Sequence, residues 1–419
     1  MTRSLSVVGL GYVGLPTAVV FADAGLEVHG VDVNADTVSS INAGRPHIVE
    51  PNLEAMLGRV VEAGKLKAST EVAATDVYAI AVPTPFKDGN APDLSYVEHA
   101  ARMIAPHLGK GALVILESTS PVGATEQLSR WLADDRPDLS FPHQKGDLAE
   151  VQVAHCPERV LPGKVLHEVV HNDRIVGGMT RHCAARAEGF YKLAVQGTCH
   201  ITDARTAELA KLTENAFRDV NIAFANELSL ICHALAIDPW ELIDMANKHP
   251  RVNILKPGPG VGGHCIAVDP WFIVDSAPEQ ARLIRTAREI NDGKPAWVVE
   301  RIAERAGEIG GNTPPVIACL GLAYKPDVDD LRESPSLEVV HQLLFRELGQ
   351  VLVVEPYVND LPDALKGADL ADFRDALDRA DIIVFLTAHS AFRNIRLSDL
   401  DGKRVVDSCG FLRQQVQVW

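Results

Sequence analysis

The chain has 419 residues, 47% of them hydrophobic and 23% charged, which leaves room for two or three domains with large buried cores and excludes a small stapled scaffold, a disordered chain or a collagen. No run of about 18 apolar residues offers a membrane span. The net charge of −16 suits a phosphate-backbone binder poorly, so nucleic acid is not an expected partner. Seven cysteines, an odd number without a C-x-x-C pair, argue against a disulfide framework and a structural metal site, and no metal is expected. The start, MTRSLSVVGLGYVG, enters a glycine loop without an apolar leader, so a cytoplasmic location is expected.

In chain order, Ser4 to Gly9 reads as a buried strand, Gly9 to Gly14 as a glycine loop, and Leu15 to Gly25 as an apolar helix closed by glycine. Strand-like runs follow at Glu27 to Val33, Val77 to Val82 and Ala112 to Leu116, with a helical pattern around Tyr96 to Leu108. This alternation predicts a parallel sheet. From Arg205 to about Ala236 the apolar spacing suits one long helix. Past a Gly- and Pro-rich stretch, Pro257 to Gly263, a second α/β region begins at Val316 to Gly321. It continues with a helix near Ser336 to Leu348 and strands at Val351 to Glu355, Asp381 to Leu386 and Arg404 to Asp407. The expected fold is α/β, two Rossmann-like domains with parallel sheets joined by a long central helix. The expected domains are 1–203, a helical connector and pairing region 204–312, and 313–419.

Gly9-Leu10-Gly11-Tyr12-Val13-Gly14 fits G-x-G-x-x-G between a strand and a helix, where backbone N–H groups can seat a pyrophosphate. Asp32, at the end of the second strand, can accept from ribose hydroxyls and repels a 2′-phosphate, which points to NAD rather than NADP. Three later segments, Pro83-Thr84-Pro85, Glu117-Ser118-Thr119-Ser120-Pro121-Val122-Gly123 and Cys156-Pro157-Glu158-Arg159, fall at expected strand ends, the side of an open parallel sheet where ligands bind. Thr84 and Thr119 also suit plain helix caps. On the long helix, Lys211, Asn215 and Arg218 are spaced i, i+4, i+7 and share a face. Apolar neighbours imply that this face is partly buried, a setting suited to acid–base work. Downstream, four glycines in the six residues Gly258 to Gly263 lead into His264, Cys265 and Asp269, where a cysteine in a close-approach loop can serve as a thiolate nucleophile.

The segments GLGYVGL, STSPVG, CPER, KLTENAFRDVNIAFANE, PGPGVGGHCIAVDP and GLAYKPDVDDLRESPS together resemble the nucleotide-sugar 6-dehydrogenases of the UDP-glucose dehydrogenase superfamily. Within it, HPRVNILKPGPGVGGHCIAVDPWFIV and CPERVLPGKV look most like the branch acting on UDP-N-acetyl-D-mannosamine, which feeds bacterial surface polysaccharides. The resemblance implies oxidation of C6 from alcohol to carboxylate in two NAD-dependent steps. It implies Cys265 as the nucleophile that passes through a thiohemiacetal and thioester, Lys211 as acid/base, and Asn215 at the oxyanion. It further implies that Asp269 and Thr119 hold the hydrolytic water, with Glu158 as the acid beside it. The implied cofactor positions are Gly9, Gly11, Tyr12, Val13, Gly14, Asp32, Thr84, Thr125 and Arg332. The implied UDP-sugar contacts are Arg159, Val160, Lys211, Asn215, Arg218, His249, Arg251, Gly262, Tyr324 and Lys325. A homodimer paired through the long helix is also implied.

Two departures bear on the substrate. Arg159-Val160-Leu161-Pro162-Gly163 replaces the FLAEG-like segment of UDP-glucose dehydrogenases, which disfavours glucose. Cys409 stands where relatives carry a basic substrate-binding residue, with Arg413 as the candidate to replace it. The nearest alternative is the same reaction on UDP-N-acetylglucosamine or UDP-glucose. The alternative from another class is a non-catalytic NAD sensor, which has no use for Lys211 and Cys265 together.

Overall fold

The computed structural model describes residues 2–161, 163–263, 265–310 and 313–415. His264 and Pro162, named above, lie outside the described residues. The chain divides into two compact units. One is Met1–Glu214 with Asp275–Ala277, the other Asn215–Val274 with Pro278–Trp419. The dividing point falls inside one continuous helix, Ala204–Ala234.

The first unit is built on eight strands: β1 (Ser4–Val8), β2 (Glu27–Val31), β3 (Leu66–Ser69), β4 (Val77–Ile80), β5 (Leu113–Leu116), β6 (Gln152–His155), β7 (Arg174–Gly178) and β8 (Cys199–Asp203). Their order is β3-β2-β1-β4-β5-β6-β7-β8, which opens with the doubly wound 3-2-1-4-5-6 arrangement. All neighbours run parallel except β6 and β7, which pair antiparallel through Ala154↔Gly178 and His155↔Gly177. Both faces of the sheet are covered, which explains why its strands read as continuous apolar runs. Period-two alternation sends Leu5, Val7, Val77 and Ala79 to one face, against Val19 and Phe21. It sends Val8, Tyr78 and Ile80 to the other, against Val97 and Leu128. Each fully buried aliphatic side chain contributes roughly 1.5–3 kcal/mol.

The second unit holds a parallel sheet of β9 (Val316–Leu320), β10 (Gln350–Val354), β11 (Asp369–Leu370), β12 (Ile382–Phe385) and β13 (Arg404–Asp407). Its order is β11-β10-β9-β12-β13, the same winding as the first sheet. Ile317 and Cys319 face one core, and Ala318 and Leu320 the other. In both sheets the order reverses beside the first strand, between β1 and β4 and between β9 and β12. Such switch points are where open α/β sheets bind ligands.

The helix Ala204–Ala234 runs for 31 residues without glycine or proline. Asp203 sets its start, accepting from Thr206 N at 2.9 Å and Thr206 Oγ1 at 2.7 Å. Just beyond its end, Ala236 takes a left-handed φ of 53°.

Candidate active site

In the first unit the glycine loop sits at the switch point. Gly9 has φ 91°, and a Cβ there would stand 2.6 Å from Ala81 O. A Cβ on Gly14 would fall 1.8 Å from Gly9 O, whereas one on Gly11 would meet nothing within 4 Å. The loop therefore closes tightly on itself and stays open on the side where a ligand backbone would lie. The helix that follows, α1 (Gly14–Asp23), has neither a side-chain cap nor an acidic residue in its first turn, so its N-terminal N–H groups suit an anion. Tyr12 is exposed beside it, and Val13 is the residue that leads into α1. Asp32 accepts from Leu10 N and from Asn34 N, each at 3.0 Å, and is half-buried. These residues fit a dinucleotide whose ribose meets a carboxylate.

The loops after β4 and β5 are knitted to each other. Thr84 Oγ1 donates to Thr119 O at 2.6 Å, and Ser118 Oγ donates to Val82 O at 2.7 Å. Thr125 is fully buried and turned toward the long helix, where Glu208 accepts from Thr125 N at 2.7 Å, Thr125 Oγ1 at 2.6 Å and Gly123 N at 2.7 Å. Burial outweighs these bonds and pushes Glu208 above the ordinary carboxylate range. Sequence reading passed over Glu208, although it lies three residues before Lys211 on the same helix.

After β6, Glu158 is buried and pairs with buried Arg174 at 2.8 Å. Arg159 reaches Glu214 at 2.7 Å and the carbonyl of Asp173 at 2.5 Å. Val160 is half-buried. Glu50 anchors the far side of this loop, accepting from Gly163 N and Val165 N at 2.7 Å each. Along the long helix Lys211 is buried, Asn215 half-buried and Arg218 exposed, so the triplet becomes more exposed along its length.

In the second unit Asn215 Nδ2 donates to Asp269 Oδ2 at 2.5 Å. Asp269 opens the helix Asp269–Ser276, and its N–H donates to Cys265 O at 2.8 Å. Cys265 is exposed while Cys156, Cys183, Cys232 and Cys319 are buried. The loop is pinned from behind: Asn226 Oδ1 accepts from Gly258 N at 2.9 Å, and its amide donates to Asn291 at 2.8 Å. A Cβ on Gly262 would lie 2.5 Å from Glu333 O, and one on Gly263 would lie 2.8 Å from the Tyr324 ring. These glycines are needed to bring the loop against Tyr324. Lys325 stands 5.5 Å from the Tyr324 ring centre. His249 Nδ1 accepts from Arg251 N at 3.3 Å, and both residues are exposed. Arg332 is paired with Asp330 at 2.7 Å.

The second switch point repeats the construction of the first. Gly321 has φ 90°, and Leu322 N and Ala323 N donate to Glu355 at 2.7 and 3.0 Å. Here the carboxylate is buried and meets His389 Nε2 at 3.0 Å. Asp327 N donates to His389 Nδ1 at 2.9 Å, so Nε2 carries the ring proton and points it at Glu355. Near the end of the second unit Cys409 lies beside Asp407, and burial pushes its thiol well above its ordinary value. Arg413 forms an ion pair with Asp238, so its charge is already answered. Among the described residues no group of three or more His, Cys, Asp or Glu could hold a metal ion, and no helix is long and apolar enough to cross a membrane.

Three family models match: the NAD-binding domain of the UDP-glucose/GDP-mannose dehydrogenase family at residues 3–195, its central domain at 205–293, and its UDP-binding domain at 318–414. The chain belongs to this family. It is an NAD-dependent UDP-sugar dehydrogenase. An NDP-N-acetyl-D-galactosaminuronic acid dehydrogenase from Ralstonia nicotianae is 60% identical over 97% of this chain and 96% of its own. The UDP-N-acetyl-D-mannosamine dehydrogenase of Escherichia coli K12 is 55% identical over 98% of this chain and 99% of its own. Among solved structures, a UDP-D-ManNAc dehydrogenase from Pyrococcus horikoshii superposes with a TM-score of 0.87 at 39% identity, covering 98% of this chain and 96% of that one.

Proposed function

We propose that this enzyme oxidises C6 of a UDP-N-acetylhexosamine, UDP-N-acetyl-D-mannosamine, to the uronate in two successive steps, for surface polysaccharide synthesis. NAD, when bound, supplies the hydride acceptor for each oxidation. Lys211 takes the proton of the C6 hydroxyl as the alcohol becomes an aldehyde. The Cys265 thiolate then adds to that aldehyde, forming an S–C6 bond and a thiohemiacetal whose second hydride loss leaves a thioester. Asn215 holds the oxyanion. A water held by Asp269 and Thr119, with Glu158 beside it, attacks the thioester, the C6–S bond breaks, and Cys265 leaves as thiolate. Each sugar thus gives up two hydrides and takes up one water. The observation that carries this reading is the exposed Cys265 one helical turn before Asp269, whose carboxylate Asn215 already holds.

The UDP-sugar contacts assigned above, with Arg159, Arg218, Arg251 and Lys325, supply the local positive charge that a diphosphate needs. The Ralstonia relative, at 60% identity, favours a second reading in which the sugar belongs to the galacto series. A homodimer completes the proposal. Phe217, Phe224 and Ile231 recur every seven residues on the long helix and are 71%, 51% and 46% exposed, an apolar stripe that a second copy would cover.

A panel of UDP-sugars offered with NAD, following NADH absorbance, tests the reading. UDP-N-acetyl-D-mannosamine should be oxidised far faster than UDP-glucose, with two NADH per sugar. UDP-N-acetylgalactosamine as the best substrate would select the second reading, and UDP-glucose as the best would refute both. Sedimentation of wild type against Phe217→Asp/Phe224→Asp tests the dimer.

A further inference from the structure

The first unit holds a buried polar cluster of which the mechanism above uses only Glu158. Arg174, on β7, donates from Nη2 to Glu158 Oε2 at 2.8 Å, with both side chains less than a tenth exposed. Its guanidinium lies 4.7 Å from the centre of the Tyr191 ring, and its Nη1 reaches Cys156 Sγ at 3.9 Å. Tyr191 Oη in turn donates to Glu117 Oε1 at 2.6 Å. Glu117 follows β5 directly and precedes the Ser118-Thr119 segment. Its second oxygen, Oε2, is buried with no hydrogen-bond partner among the described residues, as is Arg174 Nε. The Thr17 hydroxyl, also buried without a hydrogen bond among the described residues, is the side chain that bears on it, and a carboxylate oxygen so placed is costly to charge.

One cation therefore touches one buried carboxylate while a second carboxylate lies within its field. We propose that Arg174 is the positioning residue that holds Glu158 in place beside the hydrolytic water, and that Glu117, carried on Tyr191, competes with Glu158 for Arg174 and, when charged, loosens that hold. This rests on the role given to Glu158 under the proposed function.

The charges facing Glu117 work as follows. Burial pushes its carboxyl up to about 7, opposed by Arg174 and reinforced by Glu158. Cys156 is pushed up to about 12 and Tyr191 well above its ordinary value, so both keep their protons. Below neutrality Glu117 is uncharged and Arg174 serves Glu158 alone. Above neutrality a second negative charge faces the same guanidinium and competes with Glu158 for it, so the hold on Glu158 loosens.

The test compares Glu117→Gln, nearly isosteric and permanently neutral, with wild type from pH 5.5 to 9, using the best UDP-sugar of the panel and saturating NAD. The wild-type/variant ratio of kcat should fall through a midpoint near pH 7, while KM for both substrates stays within about threefold. Arg174→Lys keeps the charge but loses the fork, and should lower kcat by roughly 10- to 100-fold with little change in KM. Glu158→Gln separates this inference from its foundation. If Glu158→Gln is impaired and the Glu117→Gln ratio is constant across pH, the role of Glu117 is overturned while that of Glu158 stands. If Glu158→Gln turns over like wild type, the role of Glu158 fails and this inference with it. Should Arg174→Lys not fold, the Glu117→Gln profile still decides.

Discussion

Glu208 ties the loop that carries Thr119 to the helix that carries Lys211, and its removal should be felt at both. Its carboxylate accepts from Gly123 N and Thr125 N at 2.7 Å each and from Thr125 Oγ1 at 2.6 Å. Glu208→Ala strands two backbone donors at the start of the helix Ala124–Asp135, where no other side chain caps them. The Thr125 hydroxyl can rotate to a new acceptor, but the two N–H groups cannot. At about 1.5 kcal/mol for each bond to a charged acceptor, the local loss is about 3 kcal/mol. That corresponds to roughly 10²-fold in the equilibrium for local opening. Amide hydrogen exchange resolved on peptides covering 119–128 reads this directly and needs no two-state unfolding of the whole chain. Exchange there should accelerate by roughly 10²-fold in Glu208→Ala, and Thr125→Ala should change it by less than tenfold. Unaltered exchange in Glu208→Ala would refute the idea that this carboxylate fastens the loop.

Cys265→Ala should abolish uronate formation, and Lys211→Ala should slow turnover by roughly 10²–10⁴-fold. Cys265→Ser should retain sugar as added protein mass, because its ester is a poorer leaving species than a thioester, and intact-protein mass spectrometry reads this. Asp32 should favour NAD over NADP by roughly 5- to 150-fold, from about 1–3 kcal/mol of repulsion at a half-buried site. Equal catalytic efficiency with both cofactors would count against that role. Lys294, buried in the helix Arg282–Gly307 with its ammonium 4.3 Å from the Trp297 ring centre, is brought down by burial from 10.5 to about 7. Its folded-state value is depressed, so the charged form costs stability at and below pH 7, and the cost fades as pH rises toward 10.5. Lys294→Met should therefore raise Tm, more at pH 7 than at pH 10; an equal gain at both would mean the gain has another source.

The sequence reached the strands whose side chains are apolar on both faces, because β1, β4, β5, β9 and β12 are covered by helices on either side. It passed over the edge strands β3, β8 and β11 but also the interior β7, gave β6 only as an expected strand end at Cys156, and did reach the edge strand β13. The burial pattern of β8 (Cys199–Asp203) includes no fully buried residue, so nothing in its composition sets it apart from a loop. The reversed step at β7 was equally silent, since strand direction leaves no mark on side-chain periodicity. Among functional candidates, the residues that a motif names were visible, whereas Arg174, Tyr191 and Glu208 were not, and Glu117 stood out only as the first residue of a strand-end segment. Each acts through partners distant in the chain, such as Tyr191 on Glu117 and Glu208 on Thr125, and only folding brings those partners together.

The two switch points show how far a motif and the geometry it encodes can part. At both, a glycine with φ near 90° follows the first strand. At both, its N–H donates at 2.8 Å to the last residue of the neighbouring strand, Gly9 to Val31 and Gly321 to Val354. At both, the following leucine N–H finds a carboxylate, Asp32 at 3.0 Å and Glu355 at 2.7 Å. Only the first is spelled G-x-G-x-x-G; the second reads Gly321-Leu322-Ala323-Tyr324-Lys325-Pro326 and was recognised by resemblance alone. The physical difference lies in the acid. Asp32 remains half-buried and able to receive ribose hydroxyls, whereas Glu355 is buried and receives His389 instead. With its ribose acceptor already engaged, the second fold cannot offer a dinucleotide the welcome that the first does. Its polar capacity shifts outward to Lys325, Asp327 and Tyr357, the last two joined at 2.9 Å, and to the UDP-binding role that the family assigns to this half of the chain.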